Sequence, residues 1–208
     1  MMQLAQVAGY VLAGGGSTRF GRDKALLNFA GQPMLLRMRE ALSSFLGEAR
    51  VIASPGRYAS IGVESTPDRW PGEGPLGGII TALIGSSQSE REIRWNLIVG
   101  CDMPFLTREW LTYMAERGQA SAAEVVVPRS ASGLEPLCAC WRTSAARKLQ
   151  GAFEEGIRKV TDAMTRLETE VLNETHWKRF DGAGRLFWNM NTPADYDQVR
   201  RVSQAEQT

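Results

Sequence analysis

"VAGYVLAGGGSTRFGRDKALL", residues 7–27, joins a short apolar run to three consecutive glycines, Gly14 to Gly16. A run of this length that ends in glycines is typical of a buried parallel strand that leads into a loop. Arg19, Arg22 and Lys24 bring three positive charges into the same loop. Because glycine lets backbone N–H groups approach a phosphate and cations attract the same anion, the stretch predicts a phosphate-binding loop after the first strand.

The rest of the chain alternates between strand and helix patterns. We expect strands over residues 50–54, 96–100, 124–128, 136–141 and, as a last short one, 187–189. We expect helices from Pro33 to Gly47, from the turn at Gly74 to Gly85, over 107–117 and 144–155, and from Pro193 onward. Residues 158–176 carry no pattern that assigns their elements. The alternation predicts a three-layer α/β/α fold with a mostly parallel central sheet, Rossmann-like in arrangement.

Length and composition limit the classes of protein that this chain can be. Its 208 residues suit one domain, residues 1–208, with no repeat or composition break to divide it. The net charge of +1, from 24 Lys and Arg against 23 Asp and Glu, argues against a general binder of nucleic acid. Three cysteines without disulfide-framework spacing, no signal-peptide pattern and no membrane-spanning apolar stretch predict a cytoplasmic protein without a membrane partner.

The glycine loop fails the two common phosphate-loop patterns. Gly16 to Gly21 fits the first half of a P-loop, but Arg22 and Asp23 follow where that motif needs Lys and then Ser or Thr. The dinucleotide fingerprint fails because Arg19 occupies the position of its third glycine. Neither a P-loop ATPase nor a dinucleotide-dependent dehydrogenase is therefore supported.

Five motifs in order resemble one group of nucleotidyltransferases. They are the loop pattern L-A-G-G-x-S-x-R-hydrophobic-G-x-D-K-A-L, GPLGG at 74–78, GCDMPFL at 100–106, EPLCACW at 135–141 and NMNTPADY at 189–196. With them, the chain resembles the molybdenum cofactor guanylyltransferase (MobA) family over nearly its whole length. The resemblance implies the nucleotidyltransferase fold, transfer of GMP from GTP to the terminal phosphate of molybdopterin, and Mg²⁺ as cofactor. It also implies hand-over with cofactor-biosynthesis and molybdoenzyme-maturation proteins.

The same resemblance assigns the residues of the expected site. Arg19, Lys24 and Asp102 are the expected catalytic residues, and Asp102 and Asn191 are the expected ligands of Mg²⁺, with Asn189 the weaker candidate. The expected nucleotide contacts are Leu12, Ala13, Gly14, Gly15, Gly16, Lys24, Ser54, Asp68 and Asp102. We expect the pterin on the side of Glu135 to Cys138 and of Arg158 to Arg166.

Several of these residues have simpler alternatives. Asp102 follows an apolar strand at the edge where α/β sheets bind ligands, but an N-cap of the next helix is also open. Asp68 can accept two hydrogen bonds from guanine, whereas a ribose contact or an ordinary loop position are its alternatives. Asn189 and Asn191 have the alternative of ordering the turn before the last helix. Ser54 stands where family members often have asparagine, so it is a stand-in.

Three other functions stay open at this point. A CTP-dependent molybdopterin cytidylyltransferase shares the fold, but Leu12 to Gly15 and Met103 to Phe105 favour GTP. A sugar-phosphate nucleotidyltransferase usually carries Pro-Lys where this chain has Asp23-Lys24. A non-catalytic nucleotide-binding module has no need of an aspartate such as Asp102 at the end of a strand.

Overall fold

The structure, a computed structural model, describes residues 4–14 and 23–205. Three of the expected site residues, Gly15, Gly16 and Arg19, lie outside the described residues. Within the described ranges, no helix combines the length and the apolar character needed to cross a membrane. Both flanks of the glycine loop are described, and they locate the edge of the sheet from which the loop departs.

One sheet runs through the described chain, beside a small separate hairpin formed by β2 and β3. The strands are β1 (Val7–Leu12), β2 (Asn28–Phe29), β3 (Gln32–Pro33), β4 (Ala49–Ala53), β5 (Ser65–Pro67), β6 (Trp95–Gly100), β7 (Val125–Ser130), β8 (Gly133–Leu134), β9 (Cys138–Arg142) and β10 (Thr169–Leu172). Their order across the sheet is β10-β7-β9-β6-β1-β4-β5, with β8 paired to β7. β1 is parallel to β4 and β6, whereas β9 is antiparallel to both of its neighbours. The expected mostly parallel sheet is confirmed.

Helices cover both faces of this sheet. They are α1 (Met34–Leu46), α2 (Pro75–Ser87), α3 (Arg108–Ala120), α4 (Ala146–Glu154), α5 (Val160–Ala163), α6 (Glu174–Trp177) and α7 (Pro193–Ala205). α1 and α3 pack on the face that carries Val11 and Leu97, whereas α2 and α4 pack on the face that carries Tyr10 and Ile98. Because successive strand residues point to opposite faces, β1 and β6 feed two cores. The three-layer α/β/α fold is confirmed, and the single domain over residues 1–208 stays a prediction.

The last third of the chain departs most from expectation. Residues 158–176 contain α5 and the edge strand β10, which lies parallel to β7. The strand expected over 187–189 is wrong, because this segment is an irregular turn. The rings of Phe187 and Trp188 have strand-like propensity, but they pack into an aromatic cluster instead of facing a neighbouring strand.

Candidate functional site

A cavity of about 270 Å³ opens beyond the carboxyl ends of β1 and β6. This is the edge of an α/β sheet at which ligands bind. The expected nucleotide contacts that line the cavity are Leu12, Ala13, Gly14, Lys24, Asp68 and Asp102. The sequence motifs from three separate parts of the chain therefore meet around one space.

Ser54 is the expected contact that the structure does not bring to this cavity. It is exposed directly after β4, and its carbonyl accepts a hydrogen bond from Arg57 N–H at 3.3 Å in a tight turn. The cavity wall on this side is formed by Ile52 instead. The expectation that Ser54 replaces the family asparagine therefore has no support in this geometry.

Asp102 supplies a buried oxygen that lacks a partner. No described residue forms a hydrogen bond with its Oδ1. Burial raises the pKa of the Asp102 carboxyl above its ordinary value, and the charge of Lys24 opposes that rise. A side chain at position 100 would bring its Cβ to 2.8 Å from this oxygen and displace the carboxylate, so glycine at this position keeps Asp102 in place. The N-cap alternative is wrong, since Thr107 caps α3 by accepting a hydrogen bond from Trp110 N–H.

The turn before α7 reaches the same place. Met190 N–H donates to the Asp102 carbonyl at 2.8 Å, which ties the turn to the end of β6. Lys24 Nζ donates to Asn191 Oδ1 at 2.9 Å. Asn191 N–H donates to Asp195 Oδ2, a carboxylate that also caps the start of α7. Asn191 is therefore held beside Lys24 near Asp102 by the way the last helix begins.

Asn189, the weaker candidate ligand, orders its own turn. Its Nδ2 donates to the carbonyl of Phe187 at 3.1 Å. This geometry supports the simpler alternative for Asn189, while Asn191 contacts a catalytic candidate.

The carboxylate of Asp68 is oriented from one side. Its Oδ1 accepts a hydrogen bond from Trp70 N–H at 3.0 Å and lies 3.2 Å from Thr81 Oγ1. Its Oδ2 lies 3.8 Å from the point that a Cβ on Gly14 would occupy. Asp68 thus presents one oxygen towards the end of β1, across the cavity.

A polar network that the sequence motifs did not identify holds the segment before Lys24. Asp23 accepts a hydrogen bond from Ala25 N–H at 3.1 Å and so caps the 3-10 turn Lys24–Leu26. Its Oδ2 lies 2.8 Å from both Nε and Nη2 of Arg57. The negative charge of Asp23 beside the glycine loop is therefore matched by a cation from the segment after β4.

Tyr58 joins this network from the core. It is fully buried, and its hydroxyl donates to the Ala13 carbonyl at 2.6 Å while lying 3.1 Å from Asp23 Oδ2. Burial and the nearby charge of Asp23 raise the pKa of Tyr58, so the hydroxyl keeps its proton. Both flanks of the glycine loop are thus tied to one side chain. No local pattern marks Tyr58, because it lies 35 positions from Asp23 in the chain.

A second cavity of about 390 Å³ adjoins the first. Pro75, Asp102 and Leu137 line both cavities. The second is also lined by Glu135, Asn189 and the segment 158–161, which includes Arg158 and Lys159. The two stretches expected on the pterin side thus share one cavity. Cys138 faces away from it, towards the Trp110 indole N–H at 3.3 Å, and stays in the core.

A family model for the MobA-like NTP transferase domain matches residues 9–170 of this chain. The chain belongs to this family. It is 32% identical over 208 residues to the "probable molybdenum cofactor guanylyltransferase" of Pelotomaculum thermopropionicum, covering 99% of this chain and 97% of that protein. A protein of the same name from Pyrococcus furiosus is 38% identical over 206 residues, covering 93% and 96% of the two chains.

A solved structure agrees with this membership of the MobA-like NTP transferases. Molybdopterin-guanine dinucleotide biosynthesis protein A from Archaeoglobus fulgidus superposes with a TM-score of 0.81 at 25% identity. The match covers 95% of this chain and 99% of that protein. Membership of this family and the named relatives support an enzyme, a nucleotidyltransferase, over a non-catalytic binding module.

MobA-like nucleotidyltransferases generally use a divalent metal, and the described residues fit such an ion. The unpartnered Oδ1 of Asp102 is a buried carboxylate oxygen that a cation would satisfy. No cluster of three or more His, Cys, Asp or Glu side chains suited to a metal occurs within the described ranges. Sparse oxygen donors of this kind suit a hard cation that takes its other ligands from water and phosphate.

Proposed function

We propose that this MobA-like NTP transferase transfers GMP from GTP to the terminal phosphate of molybdopterin and releases pyrophosphate. One observation carries the proposal: two cavities meet at Asp102. A group transfer needs its donor and its acceptor side by side, and two cavities with a shared wall meet that need. The names of the relatives supply the substrate pair.

The reaction needs charge neutralisation more than proton transfer. A phosphate oxygen of molybdopterin attacks the α-phosphorus of GTP, and the bond to the departing pyrophosphate breaks. The attacking phosphate is already ionised at neutral pH, so no strong general base is required. The chain's single histidine, His176, lies on α6 and does not line either cavity. Positioning and electrostatic stabilisation then supply the catalysis.

Lys24, Arg19 and Asp102 carry the phosphate chemistry in this proposal. Lys24 lines the first cavity and donates a hydrogen bond to Asn191, so its charge can neutralise a phosphate oxygen bound there. The glycine loop, with Gly15, Gly16 and Arg19, would wrap the phosphates through backbone N–H groups and charge. Mg²⁺ is the proposed metal, held by Asp102 and Asn191, and it would offset negative charge on the phosphates.

Asp68 is the proposed reader of the base. Its Oδ2 makes no hydrogen bond with the described residues and faces Gly14 across the nucleotide cavity. A carboxylate can accept hydrogen bonds from both N1–H and the 2-amino group of guanine. Cytosine presents no such pair of donors, so this orientation favours GTP over CTP.

The second cavity is the proposed site of molybdopterin. Its cationic residues, Arg158 and Lys159, suit the phosphate of that substrate, and its apolar wall includes Leu134 and Leu137. Hand-over with cofactor-biosynthesis and molybdoenzyme-maturation proteins, in the cytoplasm, belongs to the same proposal.

Thermal unfolding of the protein with Mg²⁺ and, in parallel, GTP, CTP, ATP or dTTP tests the nucleotide. A ligand at about 100 times its Kd stabilises the fold by roughly 2.7 kcal/mol, a shift of several degrees for a chain of this length. We expect the largest shift with GTP. A larger shift with CTP or dTTP would instead favour the cytidylyl or the sugar-phosphate alternative.

A transfer assay completes this test. GTP labelled in its α-phosphate, incubated with molybdopterin and Mg²⁺, should pass its label to a dinucleotide. Binding of GTP without any transfer of label to molybdopterin would contradict the proposed acceptor.

A further inference from the structure

The second cavity contains a buried acid, Glu135, that is fixed through both its backbone and its side chain. Glu135 is only 8% exposed. Its N–H donates to the Pro128 carbonyl at 2.9 Å, and its carbonyl accepts from Cys138 N–H at 3.0 Å. Its Oε1 accepts a hydrogen bond from Ser130 Oγ at 2.6 Å. The carboxyl therefore has one orientation, set by the start of β9 and the hairpin of β7 and β8.

The other oxygen of this carboxyl is left for the cavity. No hydrogen bond joins Glu135 Oε2 to any described residue, although Glu135 lines the cavity. This oxygen is not among the buried unpartnered atoms of the described residues, so it is open to the cavity and can accept a hydrogen bond from a molecule bound there.

The cations of the cavity do not neutralise Glu135. Arg158 Nε donates to Glu73 Oε2 at 2.7 Å, and Lys159 lies 3.5 Å from Asp162. Glu135 takes part in no ion pair within the described ranges. Burial raises the pKa of its carboxyl, the Ser130 hydrogen bond opposes the rise, and the charge of Asp102 adds to it. The cavity thus contains an acid that no cation pairs, Glu135, as well as two cations, Arg158 and Lys159, that are each paired with another carboxylate.

We propose that Glu135 determines acceptor specificity by accepting hydrogen bonds from the 2-amino group and the adjacent ring N–H of a pterin. This inference rests on the proposed function, which supplies a 2-amino-4-oxo pterin as acceptor. That edge presents two neighbouring donors and matches a carboxylate. Arg158 and Lys159 would then face the phosphate at the other end of the acceptor.

The same hydrogen-bonding edge occurs on guanine, and each of the two cavities contains one acid that can accept hydrogen bonds from it. Asp68 in the first cavity and Glu135 in the second each have one carboxyl oxygen bonded to the protein. Each has its other oxygen left for a ligand. Two heterocycles with the same pair of donors are thus matched by two acids on opposite sides of Asp102.

Fluorescence titration with pterin and with lumazine tests this assignment directly. Lumazine differs from pterin by a 2-oxo group in place of the 2-amino group, so it removes one donor and adds an acceptor. We expect the protein to bind pterin at least about tenfold more tightly than lumazine, the size of a net hydrogen bond to a charged group. Glu135→Gln keeps the shape and the bond from Ser130 but should lower this preference to about one.

Three further variants separate recognition from stability. Glu135→Asp keeps the carboxylate and should restore a preference for pterin. Ser130→Ala loosens the anchor and should weaken both ligands while keeping the preference. Glu170→Gln is a matched control, since Glu170 also accepts a hydrogen bond from a serine, Ser121 at 2.6 Å, but lies on β10 outside the cavity. It should change thermal stability without changing the preference.

Each outcome bears on one claim. An unchanged preference in folded Glu135→Gln, or no preference or no binding in the unmodified protein, would overturn the role of Glu135. In GMP transfer, Glu135→Gln should raise the KM for molybdopterin about tenfold and leave the thermal shift by GTP unchanged. Failure of the unmodified protein to transfer GMP, with pterin preference intact, would count against the proposed function alone.

Discussion

At the scale of the residue, Asp102 lowers the free energy of unfolding and is also a proposed metal ligand. Its buried Oδ1 has no hydrogen-bond partner in the part of the chain that the structure describes, and burial raises the pKa of its carboxyl. The folded chain therefore holds this proton to a higher pH than the unfolded chain does. Between the pKa of Asp102 in the unfolded chain and its higher pKa in the folded chain, the folded state binds more protons, so stability falls as pH rises through this window.

Asp102→Asn should remove that loss while it removes the proposed metal ligand. We expect its Tm to exceed that of the unmodified protein at pH 7, and the difference to shrink as pH approaches 4. We also expect GMP transfer to fall about 10²-fold or more. Thermal unfolding across pH and the transfer assay measure the two effects. Asp197→Asn, an exposed carboxyl on α7, is the control, and an unchanged transfer rate in Asp102→Asn would remove Asp102 from the mechanism.

The residues that the sequence could reveal share a local signal. Asp102 directly follows a buried strand, and Lys24 follows a glycine loop, so each can be placed at the edge of the sheet from its neighbours. Arg57 and Tyr58 have no such signal, because their partner Asp23 lies more than 30 positions away. Only its position in the family pattern points to Ser54, and the turn that follows β4 leaves this residue exposed.

At the scale of the element, Tyr58 connects the end of β1 to the 3-10 turn that carries Lys24. Tyr58→Phe removes the hydroxyl that donates to Ala13 and approaches Asp23. We expect a loss of about 1–2 kcal/mol of stability, because a buried carbonyl loses its donor. We also expect a severalfold rise in the KM for GTP, since the loop loses one of its anchors.

Tyr10→Phe is the matched control for this prediction. Tyr10 is equally buried, but its hydroxyl bonds Ser86 at 2.8 Å on the far side of β1. It should cost a similar stability and leave the KM for GTP unchanged. An equal rise in the KM for GTP in both variants would show that Tyr58 acts only through the stability of the fold and does not position the loop.

Helix boundaries followed from sequence where capping chemistry is local. Gly47 ends α1 at φ 83°, and Thr192 with Asp195 begins α7 by reciprocal hydrogen bonds. The short elements of residues 158–176 form only through tertiary pairing, such as that of β10 with β7. The helix and strand propensities of these residues are too weak to predict the elements from the sequence. The aromatic segment 187–189 shows the opposite case, because its residues favour a strand but pair with no neighbouring strand.

At the scale of the whole molecule, the carboxyl end of β6 borders the proposed site, whereas its amino end contributes to the stability of the core. Its carboxyl end leads to Asp102 and both cavities, whereas Asn96 near its start is fully buried and lies in a polar network. Asn96 accepts a hydrogen bond from Ser86 and donates to the Trp141 carbonyl and to Thr143 Oγ1. This network joins α2 and β9 to the centre of the sheet, and none of its members lines either of the two cavities that meet at Asp102.

Asn96→Ala should therefore lower the Tm and leave GMP transfer intact, the reverse of what we expect for Asp102→Asn. It removes three hydrogen bonds, those of Asn96 with Ser86, the Trp141 carbonyl and Thr143, and leaves a cavity in the core, at a cost of about 2–4 kcal/mol. For a chain of this length that corresponds to a fall in Tm of roughly 4–16 °C. Below the new transition, the KM for GTP and the rate of GMP transfer should stay within about twofold of their original values. A large change in the KM for GTP without a fall in Tm would show that the start of β6 affects nucleotide binding. It would contradict the assignment of stability to the start of β6 and of catalysis to its carboxyl end.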